Sequence, residues 1–216
     1  MLDEQTLRKV ALECFINAQS LHDEARLLAE NGYRPRGAAL AIIGLEEFAK
    51  AITYTLAALL PAKRDSLIKE LANHFVKHLI AGSAEAAEIE TEDYRLVLSQ
   101  NCGFPLSAEE RLGILFRWLV QHDVSSIAVD TKGAKTFFDS LRTQGSHILP
   151  EPHLKNAALY VDIGSGGEVL TPNRAEYQAE SEILGFEWFL DIYQALPKVL
   201  EDDGTWGSFA ARICAP

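Results

Sequence analysis

Apolar residues recur at three- and four-residue intervals between Asp3 and Asn31, at Leu7, Val10, Ala11, Cys14, Ala18, Leu21, Ala25 and Leu28. That period predicts an amphipathic helix, closed by Asn31-Gly32. A short turn, Tyr33-Arg34-Pro35-Arg36, leads into a second segment, 38–60, that is apolar on nearly every side and is stopped by Pro61. So short a connection predicts two antiparallel neighbours. Further helices are expected over 65–80, ending near Gly82, and over 84–99. Ser107 with Glu110 forms a capping-box pattern ahead of the apolar run 111–121. Asp130 or Thr131 could cap another helix to about Arg142. Residues 153–163 read equally as helix or, at the Tyr160–Ile163 end, as strand. Gly164–Gly167 is a loop without the spacing of a phosphate or dinucleotide loop. Thr171-Pro172 starts a long helix to about Leu196, and Gly204–Pro216 reads as a tail. The sum is an all-α antiparallel bundle of six or seven helices over residues 1–200, with 201–216 as the C-terminal tail.

The second helix carries the feature that bears most on function. Glu46, Glu47 and Lys50 sit in the middle of a segment that should be buried all round, and a charge withdrawn from water needs a partner. Lys50 is four residues from Glu46 and three from Glu47, so it can reach either along one helical face. One lysine cannot neutralise two carboxylates. Either the site opens to water or a cation from another segment completes it. A structural intrahelical ion pair near the surface is the simplest account of the pattern.

Composition narrows the classes. With 216 residues, 48% hydrophobic and 24% charged, the chain suits one globular domain with a sizeable core. Cys14, Cys102 and Cys214 are scattered, odd in number and without CxxC spacing, which gives neither a disulfide framework nor a cysteine zinc site and suits a reducing cytoplasm. The first fifteen residues lack a long apolar run, so no secretory signal is expected, and the three charges inside 38–60 argue against a membrane helix. A formal charge of −11 argues against broad affinity for nucleic acid. It leaves room for a local basic site. Residues 63–78 are basic and 85–93 acidic, and a solvated helix face accounts for both runs.

Three further groupings could carry chemistry. His74 lies three residues before Lys77 and four before His78, so ring nitrogens and an ammonium can share a face; with Glu46, Glu47 or Asp162 they could also hold a metal. Helix-surface histidines are the plainer reading. Arginine precedes histidine by five positions twice, at Arg117–His122 and Arg142–His147. In such a pair the arginine can hold a scissile phosphate while the histidine transfers a proton, yet about one match of this kind arises by chance in a chain with this many Arg and His. Lys155, Tyr160 and Asp162 place an ammonium, a phenol and a carboxylate just before the glycine loop. No nucleophile elbow or zinc-protease helix occurs.

Taken in order, Asn17-Ala18, Asp23, Ala25, Leu27-Leu28, Gly32, Ala39, Ala41, Leu45-Glu46-Glu47, Lys50, His74, Lys77, Lys155, Leu159-Tyr160-Val161-Asp162 and Pro172 resemble the AbiV-type abortive infection family, a branch of the HEPN-like helical proteins. Ala49 departs from that pattern, which usually has glycine before the lysine. The resemblance implies bacterial antiphage defence in which an effector arrests the infected cell. It also implies frequent dimerisation and, in many relatives, ribonuclease activity through an Arg-x4–6-His motif. The matched positions Glu46, Glu47, Lys50, His74, Lys77, Tyr160 and Asp162 form the candidate shared site, with Arg142 and His147 as weaker candidates. The expected partners are a second copy of the chain, RNA or a nucleotide, and a phage or host protein. No cofactor, bound metal or membrane is expected.

Overall fold

A computed structural model describes residues 2–71, 107–121 and 193–214, together with 162, 163, 169, 170, 183, 186, 187, 190 and 191. The fold class is all-α, with six α-helices among the described residues. Helix α1 spans Glu4–Glu30. Its start is fixed by Asp3, whose carboxylate accepts from the Thr6 N–H at 2.6 Å. Its end is a Schellman turn: Tyr33 N–H donates to Leu28 O at 2.8 Å and Gly32 N–H to Ala29 O at 3.1 Å. Gly32 sits at φ +84°, a conformation glycine adopts without a Cβ clash.

Helix α2 spans Arg34–Leu59 and so begins four residues earlier than its apolar run suggests. Pro35 falls in the first turn, where a missing N–H leaves no bond unmade, so Arg34, Pro35 and Arg36 of the expected turn are helical and Tyr33 is the residue that precedes the helix. The two helices are antiparallel: Gly37 faces Ala25 and Ala29, Gly44 faces Leu21, and Arg64, just past α2, donates to Leu2 O at 2.9 Å. Eighteen of the 26 residues of α2 are buried, as an all-round apolar helix requires. Pro61–Lys63 form a single 3-10 turn, and α3 runs over Arg64–Glu70.

Helix α4, Ala108–Gln121, carries the capping box anticipated from Ser107 and Glu110. Ser107 N–H donates to Glu110 Oε2 at 2.8 Å and Glu110 N–H donates back to Ser107 Oγ at 3.2 Å. Asp162–Ile163 (β1) pairs antiparallel with Val169–Leu170 (β2), so the end of the ambiguous segment is extended. Residues Ile183, Phe186, Glu187, Leu190 and Asp191 are helical, but Tyr193–Ala195 form a turn before α5, Leu196–Glu201. The expected run to Leu196 is broken because Pro197 cannot continue a helix without striking the carbonyl four residues back; it sits instead in the first turn of α5.

The reading of 204–216 as a tail is overturned. Asp203–Cys214 is helix α6, with Trp206, Phe209 and Ile213 buried in the common core. Gly204 and Gly207 lower helix propensity there, and the burial of three large side chains at helical spacing overrides it. Rings in contact run through the core from α1 to α6: Phe15–Phe48 at 6.2 Å, Phe48–Tyr193 at 5.1 Å, Tyr193–Phe116 at 6.3 Å and Phe116–Phe209 at 5.4 Å. The expected helices over 84–99 and 130–142, the loop Gly164–Gly167 and the Thr171-Pro172 start lie outside the described residues.

Candidate functional site

On α2 the half-exposed positions are not scattered. Leu40, Ile43, Glu47, Lys50 and Tyr54 follow one another at intervals of three or four and form a single stripe, while the rest of the middle of the helix is buried. The stripe resolves the charge problem posed by the sequence. Lys50 Nζ donates to Glu47 Oε1, one turn back, with side chains 29% and 17% exposed. The pair therefore meets water rather than standing fully desolvated. Glu46 turns to the buried side and adds its negative charge near Lys50.

Cys14 of α1 and Tyr54 complete the surroundings. Burial, with the Glu47 charge added to it, pushes the Cys14 thiol up to about 11. The Tyr54 phenol is raised as well, by burial first and then by Cys14 and Glu47. Burial draws the Lys50 ammonium down, but the hydrogen bond and charge of Glu47 outweigh it, so its pKa is raised. At neutral pH Lys50 is an ammonium, and Cys14 and Tyr54 are protonated weak acids. Cys14 is thus no thiolate nucleophile. The ammonium has three N–H donors, of which Glu47 takes one. Such a site can hold an anionic oxygen and donate hydrogen bonds to it.

The structure brings together Glu46, Glu47 and Lys50. His74, Lys77, Tyr160, Arg142 and His147 lie outside the described residues, and Asp162 is described only as backbone in β1. Arg117, the first member of one Arg–His spacing, is exposed on α4, and its guanidinium donates to Arg212 O in the last turn of α6. Among the described residues, no group of three or more His, Cys, Asp or Glu could hold a metal, and no helix is long and apolar enough to cross a membrane.

Sequence reasoning passed over Cys14, Arg8 and His22. Each had a signal. Cys14 occupies an apolar-stripe position of α1, one helix face away from solvent. Arg8 follows Leu7 in the buried stripe, and His22 stands between Ala18 and Ala25 at four- and three-residue intervals, so both polar groups fall on the core face. Arg8 donates from Nε and Nη2 to Leu200 O at 3.0 and 2.7 Å and from Nη1 to Asp203 Oδ1 at 2.6 Å.

A family model described as AbiV, of the HEPN class, matches residues 6–184, more than four-fifths of the chain. No curated protein and no solved structure matches it.

Proposed function

Because the chain belongs to the AbiV-type family of HEPN proteins, we propose that it is a bacterial abortive-infection effector whose polar site on α2 acts on RNA or a nucleotide. The family supports the defence role. The observation that carries the finer reading is the half-open Glu47–Lys50 pair on an otherwise buried helix, inside the matched region. Lys50, kept charged by Glu47, binds a phosphate oxygen with its remaining donors, and Lys77 adds a second cation. His74 transfers the proton, since neither Cys14 nor Tyr54 titrates near neutrality. Glu46 and Glu47 orient the cations. The effector works in the cytoplasm as a homodimer.

Purified protein incubated with total RNA, followed by mapping of the new ends, tests this reading. Cleavage lost in Lys50→Ala and His74→Ala supports it; intact RNA across pH and metal conditions rejects catalysis. One observation favours a second reading. The Glu47–Lys50 pair closes within α2 itself, as a structural pair would. On that reading the protein is a non-enzymatic module that binds a phage or host protein. A Lys50→Ala variant that folds, keeps its partner and still arrests growth would favour the module; loss of arrest alone favours catalysis.

A further inference from the structure

The half-exposed stripe on α2 holds one aromatic side chain that the Glu47–Lys50 pair leaves without a part. Tyr54 stands one turn beyond Lys50, about 6 Å further along the helix axis, on the side away from Glu47. Part of its side chain packs on the hydrophobic core and the rest meets solvent. Most rings in this protein are already covered. Phe48 meets Tyr193 at 5.1 Å, and even exposed Tyr33 has the Arg36 guanidinium 5.9 Å from its centroid. Among the described residues Tyr54 has no ring or cation contact of that kind, and its hydroxyl makes no hydrogen bond. A ring anchored by the core and open on one side loses little freedom when a second flat surface covers it.

Glu47 sets the direction from which an anion can approach Lys50. Its carboxylate lies one turn back and repels an anion there, so an oxygen held by the remaining ammonium donors sits towards Tyr54. Burial keeps both the phenol and the Cys14 thiol protonated at neutral pH, and neither adds a charge against that anion. An anion contact is thus followed, one helical turn on, by an uncharged aromatic surface. A nucleotide offers the matching pair of features, a phosphate and a planar base joined by a ribose. Base–aromatic stacking joins uncharged surfaces, so it does not depend on the net charge of the surroundings. A base inside a duplex has both faces covered by its neighbours and cannot stack on a side chain.

On the reading that Lys50 holds a phosphate oxygen, we propose that Tyr54 stacks on the base of the same nucleotide. The site then selects a nucleotide whose base is unpaired, either free or in single-stranded RNA.

Calorimetric titration of the full chain with adenosine monophosphate, and separately with ribose phosphate, which lacks the base, isolates the stack. Adenosine monophosphate should bind about tenfold tighter. Tyr54→Leu keeps an apolar side chain on the core and should bring the two ligands to within about twofold of each other, whereas Tyr54→Phe should retain the preference. Tyr33→Leu removes a more exposed ring at the α1–α2 corner and should leave it unchanged. Lys50→Ala should weaken both ligands alike. A preference that survives Tyr54→Leu, or is lost in Tyr54→Phe, while both ligands still depend on Lys50 overturns the stack and leaves the phosphate contact standing. No saturable binding of either ligand overturns both. Single-stranded hexa-adenylate assigns the source: binding tighter than adenosine monophosphate and weakened by Tyr54→Leu points to RNA, and binding no tighter points to a free nucleotide, both with the stack upheld.

Discussion

Helix α1 is held along two seams built on opposite plans. Against α2 the closest approaches are made by small residues, with Phe15 and Phe48 the one ring pair described between the two helices. A Cβ on Gly37 would stand 2.7 Å from Ala25 O, and one on Gly44 would stand 3.3 Å from the Leu21 Cβ. Against α5 and α6 the contact is made of large rings and directed hydrogen bonds. Arg8 binds Leu200 O and Asp203 while its guanidinium lies 5.1 Å from the Trp206 ring, and Trp206 Nε1–H donates to Glu4 Oε1 at 2.7 Å. Chain separation explains the difference. A turn of three residues joins α1 to α2, so pairing them closes almost no loop, whereas Arg8 and Leu200 are 192 positions apart and must offset a larger closure entropy. Charge-assisted hydrogen bonds and buried aromatic surface are the stronger means of doing so.

If this contrast is right, removing atoms should damage the distant seam most and adding atoms should damage the local one. Phe209→Ala empties a fully buried position against Phe116 and Trp206 and should lower stability by about 3–5 kcal/mol in urea unfolding. Arg8→Met should follow at about 2–3 kcal/mol, because the Leu200 carbonyl is left buried without its donor. The Asp203 end of that pair is 83% exposed and adds little. Gly37→Ala should reverse the usual benefit of alanine in a helix and destabilise by about 1–3 kcal/mol, since the oxygen in the way belongs to backbone. A neutral or stabilising result would mean the two helices can separate freely, and the contrast would fail. Ser107→Ala should cost about 1 kcal/mol, read as a lower thermal midpoint, by removing half of the capping box of α4.

The smallest effect is acid dependence. The Glu109 carboxyl is held below its ordinary value by the hydrogen bond from Lys198, Glu110 by the backbone and hydroxyl of Ser107, and Asp202 by the hydroxyl and backbone of Thr205. A lowered folded pKa gives stability that is present above the ordinary values of 4.5 and 3.8 and is withdrawn as pH falls through the lowered ones. Hydrogen exchange measured from pH 6 down to pH 3 should therefore loosen the ends of α4 and α6 before the middle of α2. The groups are exposed and screened, so the change is slight.

What the sequence disclosed and what it withheld divide along the same lines. The α1 period, the burial of α2, the Ser107–Glu110 box and the stop at Pro61 are local patterns, and each can be read from neighbours in the chain. Helix α6 was not legible because two glycines near its start lower helix propensity, while Phe116, Arg8 and Glu4, distant in sequence, supply burial and bonds that hold it. At the candidate site, the i,i+3 pairing of Glu47 with Lys50 was legible. Its half-open setting beside Cys14 and Tyr54 was not, because exposure depends on which faces of α2 the other helices cover.

The rod-like continuity of α1 has one more consequence. The Arg8 bonds, the Cys14 position and the buried His22 ring all hang from one uninterrupted helix of 27 residues. Inserting or deleting a single residue midway would turn everything downstream by about 100° and slide it by about 1.5 Å, so substitutions can accumulate along α1 while its length is frozen. Among natural variants, gains and losses of residues should fall at the Asn31–Tyr33 corner and spare the shaft.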